Sequence, residues 1–405
     1  MDVSAVLLVA AVIFAWGLVS AGVERRDLTA PIVFVALGGV LVVLGIADNP
    51  RGPEEIRTLA EVTLVWVLFS DAAKVRLRDL GPDTRRYLRL LGVGLPLSVL
   101  AGWALAHWLF PGLGVWLALL VGAALAPTDA ALGLPVVTSP RVPERIRRLI
   151  TVESGLNDGI ATPVVMFALA GAASSEGVAG APAALTALAE LVLGGVVGVA
   201  TGLAGGWLLR RARARGWAAD AFAGIAVLAL ALVAYTAAVA IGGNGFVAAF
   251  CGGLAFGAAA GPRGSGELVF LEQTSGLVSL LVWLAFGIAV VPLMVQRLDV
   301  ATVAYAVLSL TLVRMVPVAL CLLGAGLDRR SVLFIGWFGP RGLASLVFAL
   351  LAVEDLGPEA GNAAVVIGTT VCLSVLAHGL SARPLAGRYG RAEGTTATQS
   401  PVPPG

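Results

Sequence analysis

Long apolar runs recur along the whole chain, and each is about the 20 residues that an α-helix needs to cross a bilayer. Only 13% of the residues are charged and 58% are hydrophobic, whereas a soluble domain has about 25% charged residues. We therefore predict an all-α polytopic membrane protein with about thirteen transmembrane spans. The spans fall near residues 3–23, 29–47, 56–73, 88–110, 114–137, 147–172, 183–209, 218–240, 245–260, 268–292, 299–324, 331–353 and 361–382.

The basic residues alternate between loops as the positive-inside rule requires. With the N-terminus outside, every second loop is cytoplasmic, and these loops hold most of the 27 Lys and Arg residues. The basic residues of these loops lie at 25–26, 74–89, 141–148, 210–215, 263, 329–330 and 383–391. An added or missing span would break the alternation. We therefore predict a multi-pass protein of the bacterial inner membrane, with the N-terminus outside and the C-terminus in the cytoplasm.

An odd number of spans allows two six-span halves of opposite orientation joined by span 7. In this scheme span 5 corresponds to span 12, and each contains a helix-breaking sequence, Ala126-Pro127-Thr128-Asp129 or Gly339-Pro340-Arg341-Gly342. Pro and Gly can simply kink a membrane helix. Paired breaks in the two halves, each next to a charge, instead indicate the substrate site of a transporter. We predict two inverted-topology repeats with interrupted crossing helices, broken at Pro127 and Pro340.

Carboxylates lie in two neighbouring apolar spans, Asp129 in span 5 and both Glu153 and Asp158 in span 6. A charge near the bilayer centre costs about 2.5–3.5 kcal/mol on insertion scales, so such acids indicate a cation or proton pathway. Ser154 and Asp158 are four residues apart and share one helical face. Glu153 and Asn157 share another, about 100° away.

These residues predict an oxygen-rich site for a small hard cation, a transported Na⁺ held at Asp129 and Asp158. We expect Thr128 to cap the second half of span 5, and carbonyls freed near Pro127 to add ligands. With 3 Cys and 2 His in the chain, neither a transition-metal site nor another cofactor is expected. Burial and a like charge favour protonated Asp158, whereas a bound cation favours its ionised form. A proton and a cation would therefore compete for one carboxylate.

Other charged residues leave alternatives open. Asp71, at the end of span 3 in VWVLFSDAAKVRL, either joins the cation site or pairs with Lys74. Glu153 is predicted to neutralise one of the two arginines that lie inside spans, Arg314 or Arg341. The sequence does not decide between these partners.

The stretch APTDAALGLPVVTSPRVPERIRRLITVESGLNDGIATPVV, residues 126–165, resembles the cation:proton antiporter-1 family. This family comprises prokaryotic sodium/proton antiporters related to the sodium/proton exchangers of animals. The Thr-Asp pair, the basic loop RVPERIRR and the ESGLND run follow in the order and spacing of the family. LFSDAAKVRL, LVRMVPV and WFGPRGLASL resemble its other signatures, and the resemblance covers about residues 10–385.

The resemblance implies a homodimer in which a transport core moves against a dimerisation domain in an elevator-like motion. The implied dimerisation helices are residues 1–73 and 218–292, the core 88–172 and 299–387, and the linking helix 183–209. Residues 388–405 are expected to form a short disordered cytoplasmic tail.

The resemblance also implies residue roles. Asp158 would bind cation and proton in turn, and Asn157 marks the electroneutral branch, whose electrogenic relatives have Asp at that position. The residues that match the other site positions of the family are Asp129, Thr128 and Ser154.

Three further positions can be compared with the family, and two of them match it. Glu153 resembles the acid that pairs with the span 11 arginine, here Arg314. Arg341 resembles the arginine of the interrupted span 12, with a structural or gating role. Asp71 departs from close relatives, which have the longer Glu at this position.

We predict an electroneutral exchanger of one monovalent cation, Na⁺, for one proton, and not an enzyme. Its partners would be these ions, membrane lipid and a second copy of the chain, with no nucleic acid. A K⁺/H⁺ antiporter of the same fold is the main alternative. An intramembrane serine hydrolase using Ser154 and His378 would lack a GxSG-type elbow. A channel-like or sensory protein would not need interrupted helices that converge on carboxylates.

Overall fold

The computed structural model describes residues 3–24, 28–46, 53–75, 81–130, 132–174, 181–261 and 266–397, and all regular elements in these ranges are helices. A π-helical turn, Leu90–Gly94, joins α4 to α5. In chain order the α-helices are α1 Val3–Glu24, α2 Ala30–Val43, α3 Pro53–Lys74, α4 Thr84–Arg89, α5 Leu95–Leu109, α6 Gly114–Leu125, α7 Leu134–Val137, α8 Glu144–Ser174, α9 Ala181–Ala214, α10 Asp220–Ala240, α11 Gly245–Ala259, α12 Gly266–Ala289, α13 Val291–Arg297, α14 Val300–Leu310, α15 Leu312–Cys321, α16 Arg329–Trp337, α17 Leu343–Leu356 and α18 Gly361–Ala397.

Helices occupy all the apolar runs that the sequence predicts as spans. Within the described ranges, 8 helical stretches are long and apolar enough to cross a membrane by length and composition. Three apolar stretches are shorter, namely Ala30–Val43, Pro111–Leu125 and Gly245–Ala259. A multi-pass membrane fold follows, while the count of thirteen and the inverted repeats remain predictions.

The C-terminal tail differs from its prediction. Helix α18 continues to Ala397, so residues 388–397 are helical rather than disordered. Residues 398–405 lie outside the described part of the chain, as do several basic residues of the predicted loops. These are Arg25, Arg26, Arg51, Arg76, Arg78 and Arg263. The side of the membrane on which each loop lies remains a prediction.

Both predicted helix breaks are present, and they touch each other. The helix of span 5 ends at Leu125 and is helical again at Leu134, while the helix of span 12 is interrupted between Trp337 and Leu343. Proline has no amide hydrogen to donate to the preceding turn, which explains why each break contains one. The backbone amide of Asp129 donates to the carbonyl of Pro340 at 2.8 Å. The two unwound segments therefore cross at hydrogen-bond distance.

A stripe of glycines lets α9 and α11 pack backbone to backbone. Gly194, Gly198, Gly202 and Gly206 recur every four residues, so they share one face of α9. A Cβ atom on Gly198 would collide with the backbone of Ala248 on α11. Small residues at such spacing are typical of membrane helix pairs, because they permit close contact without a bulky side chain.

A buried ion pair joins α8 to α15. Both nitrogens of the Arg314 fork bind the Glu153 carboxylate, Nη1 to Oε1 at 2.6 Å and Nη2 to Oε2 at 2.9 Å. The two side chains are only 2% and 3% exposed. Of the two arginines that the sequence left open, the structure therefore pairs Glu153 with Arg314.

Breaking this pair should destabilise the protein strongly. Removing one member strands the other charge, which costs about 3–5 kcal/mol, whereas replacing both can be nearly neutral. We expect Glu153→Gln and Arg314→Gln each to lower the melting temperature in detergent, and the double variant to recover much of the loss. Thermal unfolding of all four proteins measures the coupling.

The matched control is Arg148→Gln, which removes an arginine whose pair with Glu144 is solvent-exposed. This change should alter stability by no more than about 1 kcal/mol. Simple additivity of the Glu153 and Arg314 losses would show that these side chains do not stabilise the fold through each other.

Candidate functional site

The Arg341 guanidinium binds the carbonyls at the C-terminal end of the first interrupted helix. Its Nη1 donates to the carbonyl oxygens of Ala126 at 2.8 Å and Pro127 at 3.1 Å, and its Nη2 reaches Ser309 O at 3.4 Å. A helix C-terminus carries unpaired carbonyls and partial negative charge, so a buried guanidinium satisfies both needs. The sequence predicted these freed carbonyls as cation ligands. In the structure Arg341 occupies them instead.

Asp129 meets the amino end of the second interrupted helix. Its Oδ2 accepts a hydrogen bond from Leu343 N, the first residue of α17, at 3.4 Å. A side chain on Gly342 would collide with the Asp129 carboxylate, which explains the glycine at this position. A cap at Thr128 would put Asp129 in the first turn of the second half of span 5, but that helix starts only at Leu134. The positive helix end beside Asp129 belongs to α17.

Thr128 is part of a buried hydrogen-bonded cluster. Its Oγ1 lies 2.9 Å from Ser154 Oγ and accepts from Asn157 Nδ2 at 2.7 Å. The predicted capping role of Thr128 is therefore wrong, since its hydroxyl bonds to α8. Thr128 and Asn157 are 1% and 0% exposed. Neither of the two side chains lines the cavity described next.

A cavity of about 790 Å³ lies between α8, the span 5 break, α3 and α12. Asp158 and Ser154 line it from one face of α8, as their spacing of four predicts. Asp129 lines it from the break, and Asp71 from α3. The structure thus brings three of the predicted site carboxylates to one cavity. Glu153 and Asn157 face away from it, towards their buried partners.

Asp158 is buried but still reaches this cavity, with 9% of the residue exposed. Its backbone carbonyl accepts from Thr162 Oγ1, while no donor in the described part of the chain hydrogen-bonds to its carboxylate. Ser154 Oγ is the adjacent polar group on the same face. Within the described ranges, no three His, Cys, Asp or Glu side chains form a metal cluster on their own. A cation at Asp158 would therefore also need hydroxyl, carbonyl or water oxygens.

Glycines bring α8 close to its neighbours. A Cβ on Gly159 would overlap the ring of Phe250 on α11, and Gly155 packs against the backbone of Asp71 on α3. The helix that carries Asp158 therefore lies directly against α3 and α11.

Charged side chains stand at one mouth of the cavity. Lys74 Nζ lies 3.0 Å from Asp71 Oδ1 and 3.3 Å from Glu272 Oε1, and all three line the cavity. Of the two roles that the sequence left open for Asp71, the structure therefore shows both the pairing with Lys74 and a place in the cavity wall. Glu24 and Arg148 line the same cavity.

The opposite end of α3 is closed by ion pairs. Arg57 Nη1 lies 3.4 Å from Glu354 Oε1 and 3.0 Å from Asp355 Oδ1, both at the end of α17. Arg57 Nε also binds Glu61 within α3 at 2.7 Å. The cavity thus opens towards the Lys74 end of α3, while α3 and α17 are joined at the other end.

Sequence reasoning missed two serines that support the crossing. Ser345 Oγ donates to Ala124 O at 2.6 Å, and Ser374 Oγ accepts from the backbone amide of Arg341 at 2.7 Å. Both serines are buried. The available signal was a serine within a predicted span, because such a hydroxyl can satisfy a carbonyl or amide that an interrupted helix leaves free.

The hydrolase alternative finds no support in this geometry. His378 places Nδ1 2.8 Å from Ser374 O and Nε2 2.8 Å from Trp337 O. Ser154, the proposed nucleophile, bonds to Thr128. Because both ring nitrogens face backbone carbonyls, His378 stabilises helix packing and is not positioned to act as a base for Ser154.

Solved antiporter structures share this fold. The sodium proton antiporter MjNhaP1 of Methanocaldococcus jannaschii superposes with a TM-score of 0.79 at 19% identity, covering 95% of this chain and 98% of that one. An electron-microscopy structure of the same antiporter gives 0.74 at 18% identity.

Sequence relatives carry antiporter names with different cations. The K(+)/H(+) antiporter NhaP of Alkalimonas amylolytica is 27% identical over 362 residues, 85% of this chain and 60% of that protein. The Na(+)/H(+) antiporter of Schizosaccharomyces pombe is 28% identical over 293 residues, 67% of this chain and 61% of that protein. The chain thus spans about 60% of the length of these relatives. Residues 6–387 match the family described as "Sodium/hydrogen exchanger, transmembrane", and the chain belongs to that family.

Proposed function

We propose that the protein exchanges one monovalent cation, Na⁺, for one proton across the bacterial inner membrane. Membership of an exchanger family supports antiport as the reaction class. The proposal includes the predicted orientation, with the N-terminus outside and the C-terminus in the cytoplasm.

The observation that carries the proposal is the environment of the Asp158 carboxylate, which has no hydrogen-bond donor among the described residues. The other polar groups near the crossing are paired with protein partners, as Glu153 is with Arg314 and Thr128 is with Asn157. The Asp158 carboxylate faces the cavity without a donor from the described residues. A carboxylate in this setting can be neutralised either by a proton or by a cation, with Asp129 and Ser154 as neighbouring oxygen ligands. Exchange follows if the site crosses the membrane only when neutralised.

The cavity also supports alternating access. It lies between α3 and α12, which we assign to the dimerisation domain, and α8 with the interrupted helices, which we assign to the core. Spans 4–6 and 11–13 would move together, because the crossing and the Glu153–Arg314 pair bind them into one unit. We propose that this core moves in an elevator-like motion within a homodimer whose other helices, joined by α9, stay fixed.

The choice of Na⁺ over K⁺ is the most specific part of the proposal. The names of the relatives include both a K(+)/H(+) and a Na(+)/H(+) antiporter, so K⁺/H⁺ exchange on the same site is the second candidate. Both ions are hard cations that oxygen ligands accept, and selectivity depends on ligand number and cavity size.

Exchange should be visible in proteoliposomes that contain a pH dye. We expect added NaCl to move protons out through the wild type, with a cation panel ranking Na⁺ against K⁺ and Li⁺. Asp158→Asn keeps the shape of the side chain but removes its charge and its titration, so exchange should fall to background while the protein still purifies folded. Retention of more than about a tenth of the wild-type rate, a barrier change under about 1.4 kcal/mol, would remove Asp158 from the centre of the mechanism.

Transport should neither create nor follow a membrane potential. One carboxylate serves both ions, and Asn157 beside it is a neutral amide bonded to Thr128, so one charge enters for each that leaves. We expect Na⁺ uptake at equal pH to be unchanged when valinomycin and a K⁺ gradient clamp the potential at different values. Uptake that rises several-fold with an inside-negative potential would contradict electroneutral exchange.

A further inference from the structure

Lys74 is the single lysine among the 27 Lys and Arg residues of the chain. Every other basic position carries arginine, so the composition strongly favours arginine wherever only a positive charge is needed. The one exception lines the cavity that also contains Asp158. This position therefore calls for a property that lysine has and arginine lacks.

The surroundings of Lys74 identify that property. Its ammonium lies 3.0 Å from Asp71 Oδ1 on α3 and 3.3 Å from Glu272 Oε1 on α12. The three side chains are 36–44% exposed, so the pairs are hydrated and weak. They stand at the mouth of the cavity, where a cation arriving from that side meets two carboxylates that already share the single positive charge of Lys74.

Ammonium and guanidinium differ as competitors at such a place. An ammonium is a compact, strongly hydrated point charge on a flexible stem, and it can leave a carboxylate when a small cation arrives. A guanidinium binds carboxylates with two parallel hydrogen bonds in a fixed plane and is harder to displace. Arginine here would hold Asp71 and Glu272 more permanently, whereas lysine leaves them exchangeable.

We propose that the Lys74 ammonium is a tethered competitor of the transported cation, which must displace it from Asp71 and Glu272 before reaching the buried site. Lys74 is thus a positioning residue that acts through Asp71 and sets the apparent cation affinity from this side of the membrane. The inference rests on the proposed exchange function and adds to it a residue that tunes the affinity.

The test measures KM and maximal rate for NaCl-driven exchange in proteoliposomes, or for KCl if the cation panel shows that K⁺ is carried. Lys74→Gln should lower KM about three- to five-fold, the factor expected from loss of a partly exposed ion pair, with the maximal rate changed less. Lys74→Arg keeps the charge and should raise KM, because the bidentate guanidinium is displaced less readily.

The matched control is Arg148→Gln, which removes a positive charge from the same cavity wall without touching Asp71. Its effect on KM should be clearly smaller than that of Lys74→Gln. An equal effect would mean that Lys74 acts only through the general electrostatic field, and that result would overturn the proposal.

Two further results separate competition at Asp71 from other roles. In an Asp71→Asn background, the effect of Lys74→Gln on KM should largely disappear, because the competition has lost its carboxylate. If Lys74→Gln does not fold, Lys74→Arg still decides, since a KM equal to or below that of the wild type would overturn the proposal. If the wild type exchanges ions but the Lys74 variants have the same KM, only this inference is refuted. If the wild type does not exchange ions at all, the proposed function is refuted.

Discussion

Backbone that leaves helical geometry inside a membrane must find hydrogen-bond partners within the protein, since the lipid offers none. Here the two interrupted helices satisfy each other. The Arg341 guanidinium donates hydrogen bonds to the carbonyls of Ala126 and Pro127. The Asp129 carboxylate accepts a hydrogen bond from the amide of Leu343, the first residue of α17. Each break supplies the charge that the other helix end requires. The positions of α8 and of the cavity depend on this crossing.

Most of the polar groups around the crossing are committed to structure, and this leaves one that is not. Glu153 is neutralised by Arg314, and Thr128 is bonded to Asn157. These contacts hold α8 against α15 and against the span 5 break, while Asp158 remains open to the cavity. We propose that this one carboxylate, which the contacts of the fold leave without a partner among the described residues, carries the ion exchange. Under our proposals, weakly paired charges at the mouth regulate access to it.

Local patterns in the sequence predicted the breaks at Pro127 and Pro340 and the shared face of Ser154 and Asp158, because proline chemistry and helical periodicity act within a few residues. They could not predict that Arg341 donates hydrogen bonds to carbonyls at the end of a helix more than 200 residues earlier in the chain. The capping role expected for Thr128 was wrong for the same reason, since its hydroxyl turns to α8. Which arginine pairs with Glu153 also depends on long-range packing.

Under the proposed mechanism, cation and proton compete for one carboxylate, that of Asp158. The most direct measurement is the pH profile of exchange in proteoliposomes at sodium concentrations spanning two decades. Competition predicts that the acidic limb moves to lower pH as sodium rises, by about one pH unit per tenfold increase well above the dissociation constant. An acidic limb that stays fixed across the whole range would contradict a shared site, even if Asp158 proved essential.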